Sequence, residues 1–168
     1  LATKSLLKRG HRKIAYISGP SFKEDALLRL AGHKQALTEY DIEFDESLHC
    51  NGNYQEEGGK QALRSIYKRN HDFTAVVCAN DEMAVGAMYS ARDLGFSLPE
   101  TLSIVGFDDL IFARYTYPTL STVHNPISDM GSMAVKWILR EVYKHKISEE
   151  LINVFVPEFI IRRSINTI

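Results

Sequence analysis

The sequence is poor in cysteine and has no long hydrophobic run. Its two cysteines, Cys50 and Cys78, form neither a disulfide framework nor a metal-ligand spacing, and we expect both to behave as small hydrophobic residues. So few thiols favour a reducing, cytoplasmic setting. No stretch is long and apolar enough to span a membrane and no signal-peptide pattern is present, so the sequence predicts no membrane partner.

The sequence also lacks the motifs that mark common enzymes. It contains no G-x-S-x-G nucleophile elbow and neither of the glycine-rich patterns that cradle phosphate groups. Its six histidines show no HExxH or H-x-x-H ligand spacing. We therefore expect no catalysis, no metal and no cofactor.

The chain has no excess of charge of either sign. Its net charge is -1, which gives no indication of binding to nucleic acid or to an anionic membrane by these residues themselves. The 168 residues, of which 45% are hydrophobic and 24% charged, suffice for one sizeable domain of ordinary composition.

Two apolar runs end abruptly in polar pairs. The run over residues 73–79 stops at Asn80-Asp81, after which a helix-period pattern begins, and the run over residues 102–107 stops at Asp108-Asp109. Each pattern is typical of a buried parallel strand that delivers polar side chains at its carboxyl end. Because small ligands bind at that edge of open α/β sheets, the sequence predicts a cleft for a polar small molecule.

Strands and helices alternate along most of the chain. The predicted strands cover residues 13–18, 46–51, 73–79, 102–107 and 120–124, with a late strand at 153–156 and 159–161 around Pro157. The predicted helices cover residues 25–40, 54–70, 81–95 and 127–145, and residues 1–10 read as a helix end closed by Gly10. This order predicts the α/β class, with an open parallel sheet and helices on both faces.

An apolar stripe runs along the predicted helix over residues 127–145, with Ser128 or Asp129 as its cap. The stripe comprises Met130, Met133, Ala134, Trp137, Ile138 and Val142. We expect the stripe to be covered and Trp137 to lie in a core, since tryptophan is usually heavily buried.

The polar pairs admit a structural and a ligand-binding interpretation. We expect Asp81 to cap the following helix, and Asn80, whose amide both donates and accepts, to face a ligand hydroxyl. Asp108 could cap a loop or accept two hydrogen bonds from neighbouring hydroxyls, whereas Asp109 is the expected structural partner.

Two further residues are candidates for the same cleft. Arg29 lies one turn inside the first helix after residues 13–18; it is either an ordinary solvated arginine or a planar fork for vicinal hydroxyls or a carboxylate. Tyr54 is either an exposed aromatic at a helix start or a stacking platform for the apolar face of a ligand.

Five motifs give the chain a family resemblance. They are GHRKIA at 10–15, RLAG at 29–32, ANDEMAVG at 79–86, SIVGFDD at 103–109 and PTLSTV at 118–123. In this order and spacing they resemble the effector-binding domain of LacI/GalR-family transcriptional regulators. Residues 113–116 and the tail at 155–164 look most like the galactose regulators within that family.

The resemblance implies a periplasmic-binding-protein-like fold of type I, with two subdomains and an upstream helix-turn-helix that this chain does not contain. Residues 11–124, completed by 157–168, would form the C-terminal subdomain. Residues 125–156 would be a returning segment of the N-terminal subdomain, and residues 1–10 the end of a helix from that subdomain.

The resemblance also implies site residues. The ligand-contacting positions correspond to Arg29, Asn80 and Asp108, a stacking aromatic to Tyr54, and a pocket position at the crossover to Asn125. A dimer surface would use the helix face at 83–91 and the segment at 111–117, and within them Val85, Met88, Phe112 and Tyr115.

The sequence thus leads us to expect a sugar-sensing, dimerising regulatory domain without enzymatic activity. Its partners would be a sugar effector such as galactose, a second copy of the chain, and operator DNA through the N-terminal domain. Two alternatives remain open at this point. One is a periplasmic sugar-binding protein of a transport system, and the other is an enzyme whose Asp108-Asp109 pair resembles the acidic Mg²⁺ corner of phospho-receiver domains.

Overall fold

A six-stranded sheet organises the chain in the computed structural model, which describes residues 1–168. The strands are β1 Ile14–Ser18, β2 His49–Asn51, β3 Ala75–Cys78, β4 Ser103–Asp108, β5 Ser121–His124 and β6 Glu158–Ile160. Their order in the sheet is β2-β1-β3-β4-β5-β6. The first five strands are parallel, and β6 pairs antiparallel with β5.

Helices cover both faces of this sheet. They are α1 Ala2–Leu7, α2 Glu24–Thr38, α3 Glu56–Arg69, α4 Asp81–Asp93 and α5 Ile127–Glu141, with 3₁₀ turns at Glu46–Leu48 and Ile111–Arg114. Helices α1 and α2 pack together on one face, and α3 and α4 on the other, as right-handed crossovers require for this strand order. None of the helices is both long and apolar enough to cross a bilayer.

The core lies between the sheet and these four helices. Every residue of β1 and β3 is buried, as expected for central parallel strands covered on both faces. Leu63 and Ile66 of α3 and Ile104 of β4 are among the fully buried side chains. Each such burial stabilises the fold by about 1.5–3 kcal/mol.

Two glycines bring α3 and α4 into close contact. A Cβ at Gly59 would overlap the carbonyl oxygen of Met83, and a Cβ at Gly86 would overlap that of Glu56. The helices can therefore approach backbone to backbone only because both positions lack a side chain. This packing fixes the amino end of α4 at the carboxyl edge of the sheet, where the polar residues lie.

The predicted α/β class and the sheet with helices on both faces are confirmed, but two local predictions are wrong. Residues 153–156 form no strand: Val154 and Val156 are exposed, and within the predicted late strand only β6 pairs with β5. Neither Ser128 nor Asp129 caps α5, since the helix begins directly after Pro126 and both residues already lie within its first turn.

Helix α1 belongs to the same core as the sheet. Leu6 and Leu7 are buried against it, and Gly10, at φ +97°, closes the helix as its position predicts. Helix α1 packs on α2, β3 and β4, and its assignment to a helix of the other subdomain stays a prediction. Local sequence gives the helix its end but not its packing partner.

Helix α5 leaves most of its apolar stripe uncovered. Met130 and Ile138 are exposed, Met133 is buried, and Trp137 is 38% exposed, so the prediction of Trp137 as a core residue is wrong. No strand of this chain packs against the stripe, and the Arg140 guanidinium lies 4.5 Å from the Trp137 ring centre instead. The division into units at 11–124, 125–156 and 157–168 stays a prediction.

Candidate functional site

Arg29, Asp108 and Asn125 meet at the carboxyl edge of the sheet. The distance from Arg29 Nη2 to Asp108 Oδ1 is 3.7 Å, and Asn125 Nδ2 donates a hydrogen bond of 3.4 Å to the same oxygen. The Asp108 side chain is 17% exposed and that of Arg29 is 23% exposed. The three residues, which come from different elements, thus form a polar rim that a small solute can still reach.

The Arg29 guanidinium is held from several sides. It donates to the carbonyl oxygen of Ala79 at the end of β3, and its plane centre lies 4.0 Å from the Phe107 ring. Asp25, one turn earlier on α2, lies 3.9 Å from its Nη2. Because guanidinium carries five N–H donors, donors remain for a ligand at a fixed orientation.

Asp108 occupies an unusual backbone conformation. Its φ is 111°, a region that non-glycine residues rarely adopt and that is often retained at binding sites. Burial raises the pKa of the Asp108 carboxyl, while the Arg29 charge acts in the opposite direction. A half-buried carboxylate with one cation beside it can accept hydrogen bonds from hydroxyl groups, which strengthen because the acceptor is charged.

Asn80, and not Asp81 as predicted, caps helix α4. Asn80 Oδ1 accepts a 3.0 Å hydrogen bond from Met83 N–H, and Asn80 Nδ2 donates to the Tyr54 carbonyl at 2.8 Å. Asp81 instead accepts from Thr122 Oγ1 at 2.6 Å and from Leu110 N–H at 2.7 Å. One amide hydrogen of Asn80 has no partner among these contacts, so its contact with a ligand stays a prediction.

Tyr54 closes the rim on the other side of Arg29. Its hydroxyl donates to Asp25 Oδ2 at 2.7 Å, and its ring lies against Gly19, where any Cβ would overlap it. Burial, followed by the Asp25 hydrogen bond, raises the pKa of Tyr54 to about 12. The hydroxyl therefore stays protonated and the ring is held in place, while a stacking role for it stays a prediction.

Two residues of the rim are absent from the sequence prediction. Asp25 orients both Tyr54 and Arg29, and its position four residues before Arg29 on a predicted helix was the available signal. Phe107 supports Arg29 from the end of β4, but nothing in its apolar strand pattern distinguishes it from an ordinary core residue.

Asp109 is enclosed by two arginines and a histidine. Arg162 Nη2 lies 2.5 Å from its Oδ1, while Arg114 and His124 lie 3.8 Å and 3.3 Å from its Oδ2. These contacts agree with the structural role expected for Asp109. They also weigh against the Mg²⁺ alternative, because the carboxylate that would bind the cation is already neutralised by arginine.

A cavity of about 200 Å³ lies beneath the rim, between the sheet and helices α1 and α2. Tyr16, Arg29 and His33 contribute to its wall, and the His33 ring stacks on Tyr16 with ring centres 4.6 Å apart. His33 Nδ1 lies 2.9 Å from Thr3 Oγ1. Burial lowers the pKa of His33 to about 3, so this imidazole is neutral in the folded protein.

The predicted dimer residues differ in exposure. Val85, Phe112 and Tyr115 line a surface depression of about 350 Å³, and Tyr115 is 79% exposed. Met88 is only 3% exposed because it faces the core, so it offers almost no surface for an interface. Neighbouring Tyr89 is the exposed residue of that turn. An interface through Val85, Phe112 and Tyr115 stays a prediction.

Comparison with curated proteins places the chain beside transcriptional regulators. It is 38% identical over 167 residues to the HTH-type transcriptional regulator GalR of Escherichia coli K12, which covers 99% of this chain and 48% of GalR. It is 34% identical over 165 residues to the HTH-type transcriptional repressor PurR of Klebsiella pneumoniae, which covers 98% of this chain and 48% of PurR. The chain spans about half the length of these relatives.

Solved structures give the same picture. The crystal structure of the Escherichia coli transcriptional repressor AscG matches with a TM-score of 0.91 and 32% identity over 99% of this chain and 60% of AscG. The complex of the regulator CelR with cellobiose matches with a TM-score of 0.86 and 32% identity over 97% of this chain and 50% of CelR. Because these relatives are regulators, the transport-protein alternative is not favoured.

The family profile extends over nearly the whole chain. The periplasmic binding protein-like domain matches residues 3–165, which include all six strands and the rim. The chain therefore belongs to the periplasmic binding protein-like family, and over nearly its whole length it is similar to the effector domains of LacI/GalR-type transcriptional regulators.

Proposed function

We propose that the rim binds a sugar effector, galactose or a related sugar, and that the chain acts by binding without catalysis. The observation that carries this proposal is the half-buried Asp108 carboxylate with Arg29 and Asn125 beside one of its oxygens. The arrangement offers charged acceptors and fixed donors within one small region, which is the complement of a polyol.

The chemistry of a sugar matches the groups of the rim. Asp108 accepts from two neighbouring hydroxyls, and Arg29 donates to hydroxyl oxygens through its planar fork. Asn80 and Asn125 supply amides that suit a hydroxyl, because both partners donate and accept. The Tyr54 ring, fixed by Asp25, stacks on the apolar face of the ring of the sugar.

The choice of galactose rests on similarity. The chain is 38% identical to GalR, and the local resemblance at residues 113–116 and 155–164 points to the same group. The CelR relative was solved with cellobiose, which supports the sugar class more broadly. The rim geometry favours hydroxyl-rich ligands but does not select one sugar.

Binding would act on the rest of the regulator through Asn125 and the segment that follows it. Asn125 contacts Asp108 and leads directly into α5, so a ligand at the rim favours one arrangement of residues 125–156 over another. In a cytoplasmic dimer joined through Val85, Phe112 and Tyr115, such a shift changes the spacing of two DNA-binding segments. Those helix-turn-helix segments would belong to the encoded protein beyond this chain.

Calorimetric titration of the protein at its encoded length tests the proposal. We expect saturable binding of galactose, weaker binding of glucose or cellobiose, and no binding of inorganic phosphate. The Asp72→Asn variant is the matched control. Asp72 is an exposed carboxylate that pairs with Lys13, and it precedes β3, so it lies at the edge of the sheet opposite to the rim. A protein that binds none of the sugars, or binds phosphate alone, would contradict the proposed function.

A further inference from the structure

We propose that Asp81 is a positioning residue, which holds the ligand-binding carboxylate of Asp108 and the start of the aromatic segment in place by anchoring the backbone at Leu110. The aromatic segment is defined here as residues 111–117. This inference rests on the proposed function, in which Asp108 accepts the hydroxyls of the effector. It assigns a role to a side chain that contacts no ligand itself.

The geometry joins three elements at one carboxylate. Asp81 is the first residue of α4 and is fully buried, with 0% of its surface exposed. Its Oδ2 accepts from Leu110 N–H at 2.7 Å, and its Oδ1 accepts from Thr122 Oγ1 of β5 at 2.6 Å. The carboxylate thus ties the chain directly after β4 to the helix that precedes β4 and to the strand beside it.

The anchored point lies between the rim and the predicted interface. The last pair of β4 and β5 joins Asp108 to His124, so Leu110 lies beyond the ladder, and its N–H depends on Asp81 for an acceptor. Leu110 is two residues after Asp108 and immediately before the aromatic segment. Any movement at Leu110 therefore shifts both the rim carboxylate and the exposed aromatics.

The backbone at this point needs such an anchor. Asp108 and Asp109 have φ values of 111° and 55°, which are unfavourable for residues that carry a Cβ. A turn of this kind persists only when its surroundings hold it. Gly106 permits the close approach of the anchor, because a Cβ there would overlap Asp81 Oδ1.

Helix capping does not account for a carboxylate at Asp81. Capping of α4 does not require it, since Asn80 already accepts the Met83 N–H. Burial disfavours the charged carboxylate and raises the Asp81 pKa to about 6, whereas the hydrogen bonds from Thr122 and Leu110 act in the opposite direction. Placing Leu110 is the role that the remaining contacts define.

Three variants separate positioning from general stability. Asp81→Ala removes both hydrogen bonds. Asp81→Asn can keep both, because its oxygen can accept from Leu110 N–H while its amide donates to the Thr122 hydroxyl. Thr122→Val removes only the second bond and leaves Leu110 anchored. If Asp81→Ala does not fold, Asp81→Ser replaces it, since its hydroxyl is too short to take the place of the carboxylate at Leu110.

Two measurements on the protein at its encoded length decide the matter. In Asp81→Ala, we expect galactose affinity to fall about tenfold, which corresponds to about one lost hydrogen bond. We also expect amide hydrogen exchange of peptides over residues 107–117 to accelerate, with exchange over β1 and α2 unchanged. Asp81→Asn should stay within about threefold of wild type, and Thr122→Val should lower the melting temperature while retaining affinity.

The outcomes distinguish this inference from the proposed function. If the wild-type protein binds no sugar, the proposed function fails, and the exchange measurement still tests the anchor. Unchanged hydrogen exchange over residues 107–117 in Asp81→Ala would overturn the positioning role. Equal losses of galactose affinity in Asp81→Ala and Thr122→Val would also overturn it. Equal losses of galactose affinity in Asp81→Asn and Asp81→Ala would do the same, because only Asp81→Ala removes the hydrogen bond from Leu110 N–H.

Discussion

In the proposed function, Asp108 is the residue on which sugar binding depends most directly. The Asp108→Asn variant keeps the shape of the side chain and removes its charge. We expect the affinity for galactose to fall by about 1.5–3 kcal/mol, or roughly 10- to 150-fold, because charge-assisted hydrogen bonds to the sugar are lost. Calorimetry on the encoded-length protein measures this change, with Asp72→Asn as the control for loss of an exposed carboxylate.

The folding stability of the same variant should change little. Burial raises the pKa of Asp108, which means that its charge is not favoured by the fold even with Arg29 nearby. An unaltered galactose affinity in Asp108→Asn would remove Asp108 from the binding site. A large drop in melting temperature would instead assign the carboxylate to the fold.

At this scale the sequence predicted residue types better than residue roles. Asn80 and Asp108 could be singled out as candidates because strand ends are local patterns. The cap of α4 was assigned to Asp81 instead of Asn80 because the partner that draws Asp81 away from capping, Thr122, lies 41 positions along the chain. A contact between residues so far apart in the sequence cannot be recognised from the local pattern around either residue.

Among the elements, the aromatic segment exposes several large apolar side chains beside a surface depression. Ile111, Tyr115 and Tyr117 are all exposed, beside a depression that Val85 and Phe112 line. We expect Phe112→Glu to convert a dimer into a monomer, because a charge placed within an apolar interface must be desolvated without a partner. Analytical ultracentrifugation at several concentrations measures the change.

Phe22→Glu provides the matched control for this variant. Phe22 is an equally large and even more exposed aromatic in the β1–α2 loop, where we predict no interface. Tyr115→Glu is the second test, since Tyr115 is exposed and its replacement does not disturb the core. A dimer that survives both Phe112→Glu and Tyr115→Glu would exclude the aromatic segment from the interface.

Elements were predicted well where their partners lie nearby in the chain. The order of β1 to β5 and α2 to α4 follows from alternating periods, which each strand–helix unit satisfies by itself. The failures lie at α5 and residues 153–156, where an apolar period is present but no surface of this chain meets it. Periodicity reports that a face is apolar and does not report what covers it.

For the whole molecule, buried histidine makes stability depend on pH. The pKa of His33 is about 3 in the folded protein, against an ordinary value of 6.5, because burial disfavours the charged ring. The unfolded chain therefore takes up a proton below about pH 6.5 that the folded protein does not. Stability is lost as the pH falls through this range, by up to about 1.4 kcal/mol per pH unit from this residue.

Other groups modify this dependence. Burial also lowers the pKa of His11 and His49, which adds to the acid loss. The raised pKa of Asp81 acts in the opposite direction, since the folded protein binds that proton more readily than the unfolded chain between its ordinary value of 3.8 and about 6. The slope of stability against pH is thus the sum of these contributions. Among the histidines, His33 makes the largest contribution to the loss of stability in acid.

Replacing His33 should flatten the acid slope. The variant that tests this combines His33→Phe with Thr3→Val. Phenylalanine keeps an aromatic ring against Tyr16, and valine removes the Thr3 hydroxyl, which would otherwise lose its partner. The free energy of unfolding, measured with urea between about pH 7.5 and about pH 4.5, should fall less steeply in the double variant. The difference should be about 1 kcal/mol per pH unit. Parallel slopes in the two proteins would contradict this assignment.

The single tryptophan of this chain determines what its intrinsic fluorescence can measure. Trp137 is the only residue of its type, and it lies on α5 with its indole near Arg140 and partly in water, away from the strand ends that form the rim. Its emission should therefore be red-shifted and insensitive to direct contact with a sugar. A blue shift would mean that the apolar stripe of α5 has become covered, so the intrinsic fluorescence of the molecule measures the environment of that helix and not the occupancy of the cleft.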